Sequence, residues 1–259
     1  MNKIENGKRY GFMPGCSLSS YDPENVNLLI DYMMQRIPDI SFILKCCGKP
    51  TRDIGEDELF HKRFATMKKD MEECSIDTMI FACPNCKKVF EQELGSEQLS
   101  LWEVLSEIGL PEEMRGKAKN SDIVFTIHDP CSARNDTAAQ EGVRRILQEL
   151  GYRFEESEYS KEKTRCCGFG GQLDAVNPAL SQSVMEKRLQ TIPDLPVVTY
   201  CATCRSAFSQ AGRNTWHILE LIFGSVVTKE DFPQEDILAI PENVWHNRYE
   251  VRKKISKLS

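Results

Sequence analysis

The chain has 259 residues, a formal net charge of −6, 41% hydrophobic and 28% charged positions. That length suits two modest domains, each with a core of its own, and the acidic balance argues against nucleic acid as a main partner, since phosphate binding needs a basic stripe. No apolar run reaches membrane-spanning length and residues 1–7 lack the apolar centre of a signal peptide, so a cytoplasmic protein without a membrane span is expected.

In chain order, a strand over residues 9–13 leads to Cys16, and a helix follows with Val26, Leu29, Ile30 and Met33 at i, i+3, i+4, i+7. A strand over 40–44 leads to Cys46-Cys47-Gly48, and the next helix carries Phe60, Phe64, Met67 and Met71. A strand over 78–82 delivers Cys83-Pro84-Asn85-Cys86, then a Trp-led helix carries Trp102, Val104, Leu105 and Ile108. After the polar stretch 115–121 the order repeats. A strand over 123–127 precedes Cys131, and Val143, Ile146, Leu147 and Leu150 form a helical stripe. A weaker strand, 152–154, precedes Cys166-Cys167-Gly168, and Leu180, Val184 and Leu189 suggest the next helix core face. A strand over 196–200 delivers Cys201-Ala202-Thr203-Cys204, followed by a second Trp-led helix with Trp216, Ile218, Leu219 and Ile222.

Strand and helix alternating three times, twice over, predicts an α/β chain of two tandem Rossmann-like domains related by a pseudo-twofold. Each is a small parallel sheet flanked by helices, over residues 1–119 and 120–224, with 225–259 a C-terminal helical tail packing on the domains. Ligands gather at the carboxyl ends of such strands. All three cysteine groups of each half fall there.

Ten of the eleven cysteines form two copies of one pattern: 29 residues separate Cys16 from Cys46 and 34 separate Cys131 from Cys166, and the gaps from Cys-Cys to CxxC are 35 and 33. In a reducing cytosol metal binding is the better default than disulfides. Structural zinc takes four ligands, and five thiolates are excessive around one divalent cation. An iron-sulfur cluster spreads that charge over several irons; zinc in one domain is the alternative. Adjacent cysteines in an extended chain point to opposite faces, so each pair needs a sharp turn, which Gly48 and Gly168 suit.

Lys45, Lys49, Arg52, Lys87, Lys88, Arg134, Arg165 and Arg205 flank the cysteines and could balance an anionic cluster or hold an anionic substrate, about half of them being plain surface charge. His128-Asp129 before Cys131 reads as a proton donor or as a loop-orienting pair. Cys74 has no partner in the repeat and is expected to be a small buried hydrophobe. The basic run 248–257 reads as a solvated helix face.

The doubled C-CCG-CxxC pattern, with His128-Asp129-Pro130-Cys131 and Cys166-Cys167-Gly168-Phe169-Gly170-Gly171, resembles the CCG-domain (cysteine-rich domain) iron-sulfur family over about residues 9–224. Its members include the heterodisulfide reductase B subunit and the iron-sulfur subunits of lactate, glycolate and anaerobic glycerol-3-phosphate oxidation systems. The resemblance implies one noncubane 4Fe-4S cluster on Cys16, Cys46, Cys47, Cys83 and Cys86 and another on Cys131, Cys166, Cys167, Cys201 and Cys204. A small-molecule disulfide would be cleaved between them, with Cys16 and Cys131 catalytic. Unlike several relatives, the chain carries no ferredoxin-type CxxCxxCxxxCP run and no flavin or GxGxxG fingerprint. A ferredoxin-like subunit and a flavoprotein subunit are therefore expected partners. The competing readings are an electron-transfer subunit of a flavin-dependent lactate or glycolate dehydrogenase and a zinc-stabilised structural protein.

Overall fold

Tyr10–Met13 form β1, with all four side chains buried as expected of a strand covered on both faces. The computed structural model describes residues 4, 5, 7–233, 238 and 240–258. Met1, Asn2, Lys3 and Asn6 of the amino-terminal segment, and residues 234–237, 239 and 259 of the expected tail, lie outside the described residues.

After β1 come α1 (Cys16–Tyr21), α2 (Pro23–Arg36), β2 (Ser41–Phe42), α3 (Lys49–Asp53), α4 (Asp57–Glu73), β3 (Thr78–Phe81), α5 (Pro84–Leu94), β4 (Leu99–Ser100) and α6 (Leu101–Ile108). All pairings are parallel, in the order β2-β1-β3-β4. The second half repeats this with β5 (Val124–His128), α7 (Thr137–Leu150), β6 (Arg153–Glu155), α8 (Leu173–Val176), α9 (Pro178–Leu189), β7 (Val197–Thr199), α10 (Ala202–Gln210), β8 (Thr215–His217) and α11 (Ile218–Phe223). Its parallel sheet runs β6-β5-β7-β8. The expected pair of Rossmann-like sheets is present.

Local chemistry sets the helix starts. Asp22 accepts from the Asn25 amide ahead of Pro23, Asp136 accepts from Ala139, and Asn177 accepts from Leu180 ahead of Pro178. The carboxyl-terminal α12 (Pro241–Ile255) packs on α1 and α2. Val251 is buried there, Asn247 Nδ2 donates to the Ser20 carbonyl at 2.7 Å, and Lys254 pairs with Asp31 at 2.5 Å.

The halves share one core. Trp102 of α6 is buried edge-on to Tyr200 at 6.3 Å and His217 at 5.8 Å. Gly142 of α7 lets the two helices touch, for a Cβ there would lie 2.4 Å from the Trp102 carbonyl oxygen.

Three expectations are corrected. Each sheet has a fourth strand, and Trp216 lies on β8 rather than in a helix; both added strands are so short that the helical stripe just after them masks the alternation. On α9 the buried residues are Ser181 and Arg188, while Leu180 is 49% exposed. Cys74 caps the end of α4 and is exposed rather than buried. Among the described residues no helix is long and apolar enough to cross a membrane.

Candidate metal centres

Cys16, Cys46, Cys83, Cys131 and Cys201 sit just past strand ends, whereas Cys166 follows β6 only after a loop with a 3-10 turn at Lys161–Lys163. Gly15 leads from β1 into α1, whose first residue is Cys16. Beyond β3, Cys83 is the N-cap of α5 and Cys86 lies in its first turn, so the free Asn85 and Cys86 amides point at the Cys83 sulfur. Cys201 and Cys204 occupy the same positions on α10.

The Cys-Cys-Gly turns bring the remaining thiols in. Gly48 (φ 80°) and Gly168 (φ 91°) adopt left-handed backbone, and a Cβ would collide with the Phe60 ring at 2.9 Å and the Ser181 carbonyl oxygen at 2.5 Å. The turn aims amides at the pair: Gly168 N donates to Cys166 Sγ at 3.3 Å, and the Gly48 amide donates to Cys46.

Hydrogen-bonded contacts string the five thiols of each half in the same order. One chain runs Cys16–Cys46–Cys47–Cys86–Cys83, the other Cys131–Cys166–Cys167–Cys204–Cys201. All eleven cysteines are free. The Cys16 and Cys47 thiols, then the Gly48 amide, pull Cys46 down to about 2; Cys131 and Cys167, then the Gly168 and Gly170 amides, do the same for Cys166. Cys47 and Cys167 are pushed up to about 12, first by the neighbouring Cys46 or Cys166 thiolate. Cys83 is lowered to about 7, chiefly by Cys86.

This donor set fits a multi-iron body. Among the described residues, the trio of metal-ligating types whose donor atoms all lie within 4.8 Å of one another is His128, Cys167 and Cys204. The other sulfurs are strung out rather than closed around a point, whereas zinc-sulfur bonds of about 2.3 Å would gather four donors tightly.

The lone cysteines face the opposite half. A cleft of about 480 Å³ joins Cys131 and Cys166 to Lys49, Arg52, Asn85 and Lys88. A smaller cavity of about 250 Å³ joins Cys16 to Phe169, Thr203, Ser206 and Arg248. Asn85 and Thr203 stand at matching places in the two CxxC turns, as do Lys88 and Ser206 one turn on, so pseudo-equivalent mouths are basic on one side and hydroxyl-lined on the other. Thr203 Oγ1 reaches Ser17 Oγ across the halves at 3.4 Å.

The other flanking cations divide by role. Lys45 pairs with Asp70, Lys49 with Asp53 at 2.6 Å and Arg52 with Glu93 at 3.0 Å. Arg134 donates to the Thr164 carbonyl and Arg165 stacks on Tyr159. Lys87 and Arg205 tie the halves together. Asp129 is a loop anchor: Arg144 grips it with two hydrogen bonds at 3.0 and 2.9 Å, and Tyr200 and the Lys161 amide also donate to it. Burial pushes its carboxyl up, but these donors outweigh that and hold it below the usual range. Arg248 is not simply solvated, since it lines the Cys16 cavity. Sequence reasoning missed Arg144 and Arg188; the signal for Arg188 was a charge between apolar positions on a helix expected to face the core.

The cysteine-rich domain (CCG) family model matches residues 10–91 and 125–209. The chain is 26% identical over 207 residues to the D subunit of the dihydromethanophenazine:CoB–CoM heterodisulfide reductase of Methanosarcina acetivorans, covering 75% of this chain and 48% of that protein. The corresponding protein of Methanosarcina barkeri is 24% identical over 211 residues, with the same shares. The chain thus spans about half the length of these curated relatives. Among solved structures, an aspartate racemase of Picrophilus torridus covers 83% of this chain and 91% of its own at 11% identity and a TM-score of 0.33, too low to bear an argument.

Proposed function

Because the chain belongs to the cysteine-rich domain (CCG) family, we propose that it is a heterodisulfide reductase B-like iron-sulfur oxidoreductase, reducing a small disulfide within a larger redox complex. Cys16, Cys46, Cys47, Cys83 and Cys86 would hold one 4Fe-4S cluster and Cys131, Cys166, Cys167, Cys201 and Cys204 a second, both of the noncubane type. Bound clusters supply one-electron transfer. The protein's part is to hold ten thiolates, donate turn and helix amides to them, and present Cys16 and Cys131 to the cavities between halves, where a disulfide sulfur would approach. We divide the chain into two cluster-holding domains at 1–119 and 120–224, with 225–259 as the tail over the first.

One observation carries this reading: the same five-thiol chain forms twice, and each lone cysteine lines a cavity together with residues of the other half. A pure electron relay needs no such cleft. The electron source in this reading is a ferredoxin-like subunit and, beyond it, a flavoprotein. Ten free thiols suit a reducing cytoplasm.

Iron and acid-labile sulfide analysis of anaerobically purified protein, with EPR, tests the proposal. About eight irons per chain, as two four-iron clusters require, is the expected result. Zinc in place of iron, or about four irons, overturns it.

A further inference from the structure

The two cysteine sets are backed by different chemistry. Behind the first, Met13 at the end of β1 packs with Phe64, Met67, Phe81 and Phe90 in an apolar cluster that includes Cys47 and Cys86. In the second half the matching residue, again three before the lone cysteine, is His128, fully buried at the end of β5. One of its ring nitrogens lies within 4.8 Å of both the Cys167 and Cys204 sulfurs.

Its proton can be placed. Nδ1 faces Arg188 of α9, 3.4 Å from Nε and 3.2 Å from Nη2. A guanidinium only donates, so Nδ1 carries the lone pair and the neutral ring's proton sits on Nε2. Among the described residues Nε2 is buried with no hydrogen-bond partner, sulfur included, so its proton is free for an acceptor brought in at the Cys167 and Cys204 sulfurs, which lie within 4.8 Å of a ring nitrogen.

Arg188 needs an anion. It is 1% exposed, and its guanidinium donates to His128, Thr191 and Ser157, all neutral. A buried guanidinium without countercharge is costly. The groups whose negative charge would support it are Asp129, which Arg144 already grips, and Cys204 and Cys167, which would be thiolates as cluster ligands.

We propose that Arg188 and His128 form a buried donor relay to the sulfurs of the second cysteine set, making the cluster there the more easily reduced of the two. This rests on the two-cluster reading above. Hydrogen bonds to cluster sulfurs and nearby positive charge both favour the reduced, more negative state. Both sets receive backbone amides and the first has Arg248 near Cys46, but behind it, in place of His128, stand Met13 and phenylalanines, with no buried side-chain donor of that kind among them. Arg188 is the positioning residue, fixing the tautomer of His128. The first electron from an external one-electron donor therefore rests beside the basic cleft at Cys131.

The test is a dithionite titration of the reconstituted full chain followed by EPR, with His128→Met, which copies Met13, and Arg188→Gln. Cys131→Ser identifies the second set's signal. The native chain should show two reduction waves, the easier belonging to the second set. Each variant should lower that wave's reduction constant at least tenfold, about 59 mV for one electron, leaving the other in place. Proton ENDOR should find a deuterium-exchangeable coupling on the easier cluster that His128→Met abolishes. A single native wave, or unmoved waves in variants retaining full iron, overturns the proposal while leaving the two-cluster function standing. Absence of iron in the native chain would instead defeat that function. Should His128→Met fail to load its cluster, Arg188→Gln, one residue further from the sulfurs, decides on the same terms.

Discussion

Lys87 Nζ stands 2.8 Å from Asp136 Oδ2, and the two residues come from opposite halves of the chain. Lys87 directly follows Cys86 on α5; Asp136 caps α7 just beyond Cys131. The other half mirrors this: Arg205 directly follows Cys204 and stacks on Tyr21 at 4.6 Å, beside the Asp22 cap of α2. Each CxxC helix is thereby tied to the loop that carries the other half's lone cysteine.

Breaking that tie should loosen the halves. Both partners are largely buried, at 12% and 14% side-chain exposure, so Lys87→Met should cost about 1–3 kcal/mol in denaturant unfolding. Asp136→Asn keeps the helix cap and removes only the charge. A double-mutant cycle between the two should give a coupling of about 1 kcal/mol; a value near zero would show that the ion pair does not join the halves.

The glycines of the two Cys-Cys-Gly turns should not be equally replaceable. Gly48→Ala meets the edge of the Phe60 ring, which can tilt, whereas Gly168→Ala meets the Ser181 backbone oxygen at 2.5 Å on a fixed helix. Both also force alanine into left-handed backbone, at about 1 kcal/mol. Gly168→Ala should therefore lose second-set metal while Gly48→Ala retains most of its own. Gly171→Ala, with positive φ but open space around it, is the control and should cost only the backbone term. Metal content per half, read by spectroscopy, decides the ranking.

Much of this site could be read from the chain because the pattern occurs twice. Strand ends at Met13 and His128, the CxxC starts of α5 and α10, and the turn glycines follow from local periodicity and residue type. What stayed hidden was non-local. Ser181 turns inward because its hydroxyl donates to the Gly168 carbonyl at 2.8 Å, and Arg188 because it meets His128 across 60 residues of sequence. An apolar stripe through Leu180 cannot report either partner. The two-residue β4 lies below what alternation can signal, and nothing in sequence spacing separates the exposed Cys74 from a buried one.

Serine at the lone cysteines should have separate, half-specific effects. Cys16→Ser and Cys131→Ser each remove the thiol at one end of a chain whose other four members stay linked. Under the proposed function each variant should alter only its own half's EPR signal and lower disulfide reduction at least a hundredfold. Unchanged turnover in Cys16→Ser would exclude that cysteine from the reaction.

The stability of the protein should vary with pH through two buried neighbours of opposite sign. His217 and Glu220 form a capping box at the start of α11: the His217 amide donates to Glu220 Oε2 at 2.6 Å, and the Leu219 amide donates to His217 Nδ1 at 3.3 Å. Burial, with Arg205 adding to it, lowers His217 to about 3. The folded chain then holds fewer protons than the unfolded one between pH 3 and about 6.5, so this contribution is complete above 6.5 and is lost as pH falls toward 3. Burial raises Glu220 to about 7, against the opposing pull of Arg205. Here the folded chain holds more protons between about 4.5 and 7, so stability is complete below 4.5 and is lost as pH rises through 7, by at most about 3 kcal/mol. The two slopes oppose each other between 4.5 and 6.5, giving a plateau, and only the Glu220 slope survives from 6.5 to 8. Glu220→Gln can keep the capping geometry without the charge, so its unfolding midpoint should flatten over that upper window. A Glu220→Gln protein whose midpoint fell from pH 6.5 to 8 as steeply as the native chain's would show that this carboxyl is already ionised in the folded state.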